Sequence, residues 1–267
     1  MQSKSMALST LALMASIVTF GFQSSMATAA PSGQRISASD TAKIEKIVLS
    51  TIENHPEIIL KSLQQAMDNE QKKQLELAEA AIKQNQTALF NDTNIPAAGN
   101  PQGDVRIVTF FDYNCGYCRK SSAELYDLLK SDPNVRVFFR DLPIFGAPST
   151  TLTKIALAAN NQGKYLELHE AFMQTDEALD ETNALKIAKN LGLDITKLQK
   201  DMNSPEIQKI IASNKKLAKT LNINATPAFI VEEKFVPGYI SKDAFKKLLL
   251  EIRTPLQANI EKPSSQS

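Results

Sequence analysis

The chain has 267 residues, 43% of them hydrophobic, and its 30 basic and 29 acidic residues give a formal net charge of +1. This is an ordinary globular composition, and the balanced charge gives no sign of a nucleic-acid partner. There are only two cysteines and two histidines. Because a zinc site needs about four ligands, we predict no metal site, and we expect no cofactor.

Residues 1–29 are predicted to be a signal peptide. Lys4 supplies the positive start, the stretch from Met6 to Phe22 is uncharged and mostly apolar, and Ala27-Thr28-Ala29 is a small-x-small cleavage site. A retained membrane anchor is the alternative, although the stretch is short for a membrane span. We therefore expect an exported protein that is cut near Ala29 and lies in the periplasm if the organism is Gram-negative.

Residues 30–90 are predicted to form a helical arm. One helix runs from about Ser39 to Asn54, His55 is a turn residue, and Pro56 begins a second, long helix, because proline suits a first helical turn. Each helix has an apolar stripe that must be buried against something. It packs either on the rest of the chain or on a second subunit. We favour a homodimer through residues 39–90, because a two-fold interface uses one self-complementary patch twice.

A catalytic domain is predicted at residues 104–253, after a linker at 91–103 that is dense in turn-forming residues. The apolar run Val105–Phe111 predicts a buried strand, and an amphipathic helix follows Cys118. Residues 135–140 predict a second strand, and this strand–helix–strand spacing favours a parallel pair.

The rest of the predicted domain is a helical insertion followed by a hairpin and a last helix. Residues 149–221 contain only helical patterns, and His169 within them is interpreted as a structural residue. Residues 228–231 and 235–236 predict two short strands, and a helix then ends near Ile252. Residues 254–267 are predicted to be a flexible tail.

Both cysteines lie at the predicted strand-to-helix turn, in the stretch Asn114-Cys115-Gly116-Tyr117-Cys118. The helix dipole stabilises a thiolate at a helix N-terminus, and Arg119 and Lys120 add positive charge. An ordinary thiol is only about 3% thiolate at pH 7, whereas a pKa near 6 makes it roughly 90% thiolate. A structural disulfide here would close almost no loop. We therefore predict a redox pair, with Cys115 as nucleophile and Cys118 as resolving thiol.

This cysteine motif, together with Ala225-Thr226-Pro227-Ala228-Phe229, resembles the DsbA-like thiol:disulfide oxidoreductases of the thioredoxin superfamily over roughly residues 100–252. The resemblance implies an α/β protein with a thioredoxin-like fold and a helical insertion, here preceded by the helical arm. It implies that Pro227 is cis and that Thr226 contacts substrate. Cysteine-containing exported proteins would be the clients, and an unidentified membrane protein would be the redox partner.

Three residues of the motif resemble the disulfide isomerase DsbC rather than DsbA: Gly116 and Tyr117 between the cysteines, and Thr226 before the proline. The dipeptide tunes thiolate stability and reduction potential, so we expect a bias towards isomerisation. DsbC dimerises through a β-rich domain, whereas residues 39–90 resemble the helical arm of dimeric DsbA-like proteins. The alternatives are a dedicated oxidase and a chaperone or surface-interaction protein with secondary redox activity.

One position departs from DsbA. The buried acid of DsbA lies six residues before the first cysteine, where this chain has Thr109. Asp112 is the nearest carboxylate in the sequence. It is predicted either to relay a proton for Cys118 or to serve only as a turn or capping residue.

Overall fold

The structure, a computed structural model, describes residues 37–260, with side chains as far as Thr254. The predicted signal peptide at residues 1–29 therefore lies outside the described residues. The chain divides into two compact units, with the boundary between Ser62 and Leu63. Within residues 37–260, no helix has the length and apolar character needed to cross a membrane.

The first unit consists of α1 and the beginning of α2, as the arm prediction expects. Helix α1 (Ala38–Asn54) is capped by the Ser37 hydroxyl, which accepts the Asp40 N–H. His55 lies between the helices, and α2 (Pro56–Gln84) begins at the proline. Every residue of α1 is described and none is buried. Its apolar stripe is therefore exposed in the single chain.

The greater part of α2, from Leu63 onwards, belongs to the second unit, so the predicted arm at residues 30–90 is too long. Ile82 in α2, and Leu89 and Phe90 in α3 (Gln86–Phe90), are buried in one core cluster with strand residues of the catalytic domain. The unit boundary lies nearer residue 62. The periodicity of α2 could not locate it, because the same apolar stripe continues on both sides.

The predicted linker at residues 91–103 contains a strand that the sequence did not reveal. Strand β1 (Ala97–Gly99) pairs antiparallel with β3 (Val135–Asp141), placing Ala97 opposite Phe138. Gly99 has a positive φ of 86°, and a Cβ there would meet the backbone oxygen of Val135. The close approach of the chain therefore requires glycine, although small residues and glycine predict a turn.

In the described part of the chain the sheet also contains β2 (Val105–Phe111), β4 (Ala228–Val231) and β5 (Lys234–Pro237). The five strands lie in the order β1-β3-β2-β4-β5. Strand β2 lies parallel to β3, which confirms the predicted parallel pair. On the other side of β2 lies β4, antiparallel, followed by its hairpin partner β5. These bounds agree with the predicted strands to within one residue at most ends.

Helices cover both faces of this sheet, and the predicted insertion at residues 149–221 consists of helices joined by short loops, without a strand. The helices are α4 (Gly116–Ser131), α5 (Ala147–Asn160), α6 (Tyr165–Gln174), α7 (Glu181–Asn190), α8 (Ile195–Asp201), α9 (Pro205–Thr220) and α10 (Lys242–Ile260). The last of these continues past residue 254, where the tail was predicted to begin, so that prediction is corrected for residues 254–260. Residues 261–267 lie outside the described residues.

Strand β2 is buried on both faces, which explains its continuous apolar run. Ile107 and Phe111 belong to a core cluster shared with both cysteines, whereas Val108 and Phe110 belong to the cluster that contains Ile82. Because successive side chains alternate between faces, position 109 faces the cysteine side.

Candidate active site

Cys115 is the N-cap residue of α4, immediately after the turn that follows β2. Its sulfur accepts the backbone N–H of Cys118 over 3.2 Å, and its thiol donates to the backbone oxygen of Thr226 over 3.3 Å. An N-cap side chain satisfies one of the free N–H groups of the first helical turn. The sulfur therefore occupies the place where the helix best stabilises a negative charge.

The two thiols have opposite environments. The contact with the Cys118 side chain lowers the pKa of Cys115 most, and burial opposes it. The Thr226 side chain and the backbone N–H groups of Cys118 and Tyr117 lower the pKa further, so that it falls to about 6. Burial raises the pKa of Cys118 well above the usual range, and the adjacent Cys115 raises it further. Both cysteines are free thiols. The lowered pKa favours ionisation of Cys115, whereas the raised pKa keeps Cys118 a protonated thiol.

The predicted cationic contribution of Arg119 takes a different form. Its guanidinium donates to the backbone oxygens of Thr175 and Phe172, at 2.5 and 3.3 Å. Arg119 therefore ties α4 to the C-terminal end of α6. The Lys120 ammonium lies 5.6 Å from the centroid of the Tyr117 ring. Cys118, Thr226 and Tyr117 are the groups that lower the pKa of Cys115, and neither Arg119 nor Lys120 is among them.

Asp112 holds the active-site turn together. One carboxylate oxygen accepts the N–H of Asn114 over 2.8 Å, and the other accepts the N–H groups of Ile144 and Phe145 over 2.8 and 3.1 Å. The side chain is buried, so these backbone donors satisfy it where water cannot. The geometry favours the turn and capping alternative for Asp112. Its role as a proton relay stays a prediction.

The Thr226–Pro227 peptide bond is cis, as the resemblance implies. Thr226 contacts the nucleophilic sulfur through its backbone oxygen, although it is 111 residues away in the sequence. Gly116 begins α4 with open space where a side chain would lie, and Tyr117 is 64% exposed. The structure thus brings the predicted residues of the cysteine motif and the proline loop into one site.

Behind the cysteines lies a buried polar cluster that the sequence analysis missed in part. The Tyr165 hydroxyl donates to Asp141 Oδ2 over 2.9 Å, and the Tyr113 hydroxyl lies 2.9 Å from His169 Nδ1. The rings of Tyr165 and His169 stack with an interplanar angle of 12°. His169 is buried in this cluster, and burial lowers its pKa to about 3.

Asp141 is the most unusual member of the cluster. Burial raises its pKa to about 7, although the hydrogen bonds of Tyr165 and Tyr113 oppose this rise. The sequence offered one signal for Asp141: an acidic residue at the end of an apolar strand. Its partners come from two other segments, so the pattern of one strand could not identify them.

Comparisons with known proteins agree with this architecture. The profile of the DSBA-like thioredoxin domain matches residues 106–250, more than half of the chain. A thioredoxin-like oxidoreductase from Silicibacter pomeroyi is 45% identical, with a TM-score of 0.62, and the match covers 64% of this chain and 98% of that one.

Two further solved structures are similar at lower identity. The thiol-disulfide exchange protein alpha-DsbA2 from Wolbachia pipientis is 27% identical over 66% of this chain and 96% of its own, with a TM-score of 0.62. Proteus mirabilis ScsC in a transitional conformation is 25% identical over 80% of this chain and 97% of its own, with a TM-score of 0.60.

The chain also matches part of a group of longer curated proteins. The Na(+)/H(+) antiporter NhaA 3 of Salinispora tropica is 25% identical over 135 residues, which is 50% of this chain. The chain spans about a fifth of the length of the curated relatives it matches, 21% in this case. The antiporter name belongs to those longer proteins, and we infer no transport activity from it.

Proposed function

We propose that this chain, which belongs to the family of DSBA-like thioredoxin domains, exchanges disulfides with cysteine-containing proteins. The observation that carries the proposal is the position of the Cys115 sulfur. It lies at the N-terminus of α4, within hydrogen-bond reach of the Cys118 N–H and of the Thr226 carbonyl. A thiolate with a pKa of about 6 is mostly ionised at neutral pH and attacks disulfides.

The reaction begins when the Cys115 thiolate attacks one sulfur of a client disulfide. A mixed disulfide forms between Cys115 and the client, and the second client sulfur leaves as a thiolate. Attack by another client thiolate on the mixed disulfide regenerates Cys115 and gives a rearranged client. Attack by Cys118 instead releases a reduced client and leaves the Cys115–Cys118 disulfide.

We propose that isomerisation is the main direction. Gly116-Tyr117 adds no charge beside Cys115, and Thr226 precedes the cis-proline, so both features of the isomerase-like motif border the nucleophile. A dedicated oxidase, in which the oxidised pair donates its disulfide to a reduced client, is the second candidate. The same lowered pKa of Cys115 favours it, because stabilising the thiolate makes the disulfide more oxidising.

We also propose that the protein is exported to the periplasm. The charged start, the apolar stretch and the Ala27-Thr28-Ala29 site support a cleaved signal peptide. Disulfides persist in that compartment, so exported proteins with cysteines are the proposed clients. A membrane redox partner would restore the pair to its starting state.

We also propose that the arm joins two copies of the chain. The apolar side chains of α1 are exposed in the single chain: Ile44, Ile47, Val48 and Ile52. Most of the stability of a helix in a protein comes from packing of its apolar face, so a partner surface would stabilise α1. A second copy offers the same stripe, and a two-fold arrangement would bury both.

Reactivation of scrambled ribonuclease by the reduced protein tests the proposal. The full chain is compared with a version that lacks residues 30–62. This shortened version keeps Ile82, Leu89 and Phe90, which are buried in the catalytic core. Reactivation that falls when the arm is removed supports an isomerase with two linked sites. Fast oxidation of a dithiol peptide without reactivation supports the oxidase. Inactivity of the wild-type protein in both assays contradicts the proposal.

Light scattering on the same two proteins tests the dimer. The full chain should have twice the mass of one subunit, and the shortened form should be a monomer. A different mass for the full chain, or a dimer without residues 30–62, contradicts the arm interface. Client binding that survives Cys115→Ala with Cys118→Ala would favour the chaperone alternative.

A further inference from the structure

A small cavity lies directly behind Cys118. Its volume is about 10 Å³, and it is lined by Cys118, His169 and the hydroxyl-bearing residues Thr109, Ser121 and Ser122, together with apolar side chains. This volume is close to the minimum that holds one water molecule. The cavity thus offers room for a single water between the resolving thiol and the histidine.

The polar lining gives that water partners. Ser121 is buried, and its hydroxyl makes no hydrogen bond to any other residue in the described part of the chain. A buried hydroxyl without a partner is uncommon, and an ordered water is one usual explanation. His169 uses Nδ1 for its contact with Tyr113, which leaves Nε2 as the ring nitrogen available to the cavity.

The other end of this cluster has a group that can receive a proton. Asp141 is buried, and its Oδ1 oxygen has no hydrogen-bond partner among the described residues. Its Oδ2 oxygen accepts from Tyr165, and the Tyr113 hydroxyl also lies close enough to lower the pKa of this carboxyl. The Tyr113 hydroxyl thus lies against His169 and near Asp141.

We propose that one water molecule, His169 and Tyr113 relay the proton of the Cys118 thiol to the Asp141 carboxylate during the resolving step. The proposal rests on the thiol–disulfide exchange described above. It gives Asp141 the role of proton acceptor. His169 and Tyr113 carry the proton between the water and Asp141, and neither touches the reacting sulfur atoms.

The step balances without an added oxidant. Cys118 loses its proton to the water, the water gives a proton to His169 Nε2, Nδ1–H gives its proton to Tyr113, and the Tyr113 hydroxyl gives its proton to Asp141. The Cys118 thiolate attacks the Cys115 sulfur, the bond between Cys115 and the client breaks, and the client sulfur leaves with the electron pair. In the reverse direction Cys118 leaves as a thiolate and Asp141 returns the proton.

The ionisation of the cluster fits this role. A pKa of about 7 makes Asp141 an effective acceptor at neutral pH. His169 has a pKa of about 3, so it stays neutral and transfers protons without storing one. In the described part of the chain, the titratable groups that face these two residues are Tyr113 and Asp112 in the active-site turn, Cys118 and Tyr126 on α4, and Tyr165 on α6.

Ellman's reagent separates the two chemical steps in one experiment. With one equivalent of reagent, Cys115 releases the first coloured thiol, and attack by Cys118 on the mixed disulfide releases the second. Tyr113→Phe should slow the second release by about tenfold or more at pH 7, since general acid–base catalysis contributes at least about 100-fold. The first release should change little.

Tyr126→Phe is the matched control. It also removes one buried hydroxyl from a ring near His169, at a centroid distance of 6.1 Å, and that hydroxyl has no hydrogen-bond partner in the described chain. The control should keep the second release at the wild-type rate. Asp141→Asn provides an independent variant: the second release should lose its rise with pH around 7.

Three results would overturn the relay: a wild-type second release in Tyr113→Phe, equal slowing in the two tyrosine variants, or an unchanged pH dependence in Asp141→Asn. If Tyr113→Phe does not fold, the Asp141→Asn profile decides. Absence of both releases in the wild-type protein would instead contradict the proposed function itself. The two failures are therefore distinguishable.

Discussion

The pH dependence of Cys115 alkylation is the sharpest test of how the site activates its nucleophile. With a pKa of about 6, Cys115 is about 90% thiolate at pH 7, against about 3% for an ordinary thiol of pKa 8.5. A thiolate of lower pKa is intrinsically less nucleophilic, by roughly tenfold over this interval. The net rate advantage at pH 7 is therefore only about two- to threefold.

The advantage grows in mildly acidic solution. At pH 5.5 the thiolate fraction is about 24% for Cys115 and about 0.1% for an ordinary thiol, so the net rate advantage rises to about 20-fold. Iodoacetamide labelling from pH 4 to pH 9, with the urea-unfolded protein as reference, measures both curves. Because the raised pKa keeps Cys118 protonated, the early labelling should fall on Cys115.

The variant Cys118→Ala tests the cause of the shift. It removes the side-chain contact that contributes most to the lowered pKa of Cys115, and it keeps the backbone N–H groups. The midpoint of labelling should rise but stay below 8.5. A wild-type midpoint near 8.5 would refute the argument that the N-terminus of α4 activates this thiol.

Three further predictions concern the surroundings of the site. Burial raises the pKa of Asp141 above its unfolded value, so its contribution to stability is present below about pH 4 and is lost as the pH rises through about 7. Asp141→Asn should therefore raise the free energy of unfolding relative to wild type at pH 8 but not at pH 4. Denaturant titrations in which this difference does not depend on pH would contradict the raised pKa. Arg119→Met should cost about 1–3 kcal/mol of stability, because its hydrogen bonds to backbone oxygens are lost. The labelling midpoint of Cys115 should stay the same. A rise in that midpoint would support the prediction from the sequence that the Arg119 charge stabilises the thiolate. Ile82→Ala should destabilise the protein by about 2–5 kcal/mol, because Ile82 is fully buried in the core. Leu77→Ala, on the exposed side of α2, should change stability by less than about 0.5 kcal/mol. Equal effects of the two substitutions would mean that this part of α2 does not belong to the catalytic core.

The catalytic domain was predictable from the sequence because its signals are local. The apolar run of β2, the turn residues around the cysteines and the Thr226-Pro227 pair each lie within a few residues. Their combination identified the fold, and the placement of Cys115 at the start of a helix followed from the strand-to-helix pattern.

The missed features depend on contacts between distant segments. Strand β1 is three residues long and has no apolar alternation, so only its pairing with β3 defines it. The end of the arm could not be located, because Ile82 differs from the exposed residues of α2 only in what packs against it. The role of Arg119 likewise depends on the position of α6, which the local sequence does not specify.

The polar cluster behind Cys118 shows the same limit. His169 was predicted to be structural, and nothing in its own helix indicates that it lines a cavity shared with Cys118. Asp141 is the last residue of β3, and Tyr113 lies in the turn that follows β2. Because β2 and β3 are parallel neighbours, the sheet brings these two residues together. The sequence alone does not give the strand order, and without that order such residues cannot be placed at the same edge of the sheet.

Trapping of a mixed disulfide is the most direct test of the central claim, that Cys115 attacks disulfides and Cys118 resolves the product. Cys118→Ala, incubated with oxidised glutathione, should accumulate one glutathione adduct, and peptide mass spectrometry should place it on Cys115. The wild-type protein should pass through this adduct to the Cys115–Cys118 disulfide, and Cys115→Ala should give no adduct while its buried Cys118 stays protonated. A Cys118→Ala protein without an adduct, or an adduct that persists equally in the wild type, would contradict the account.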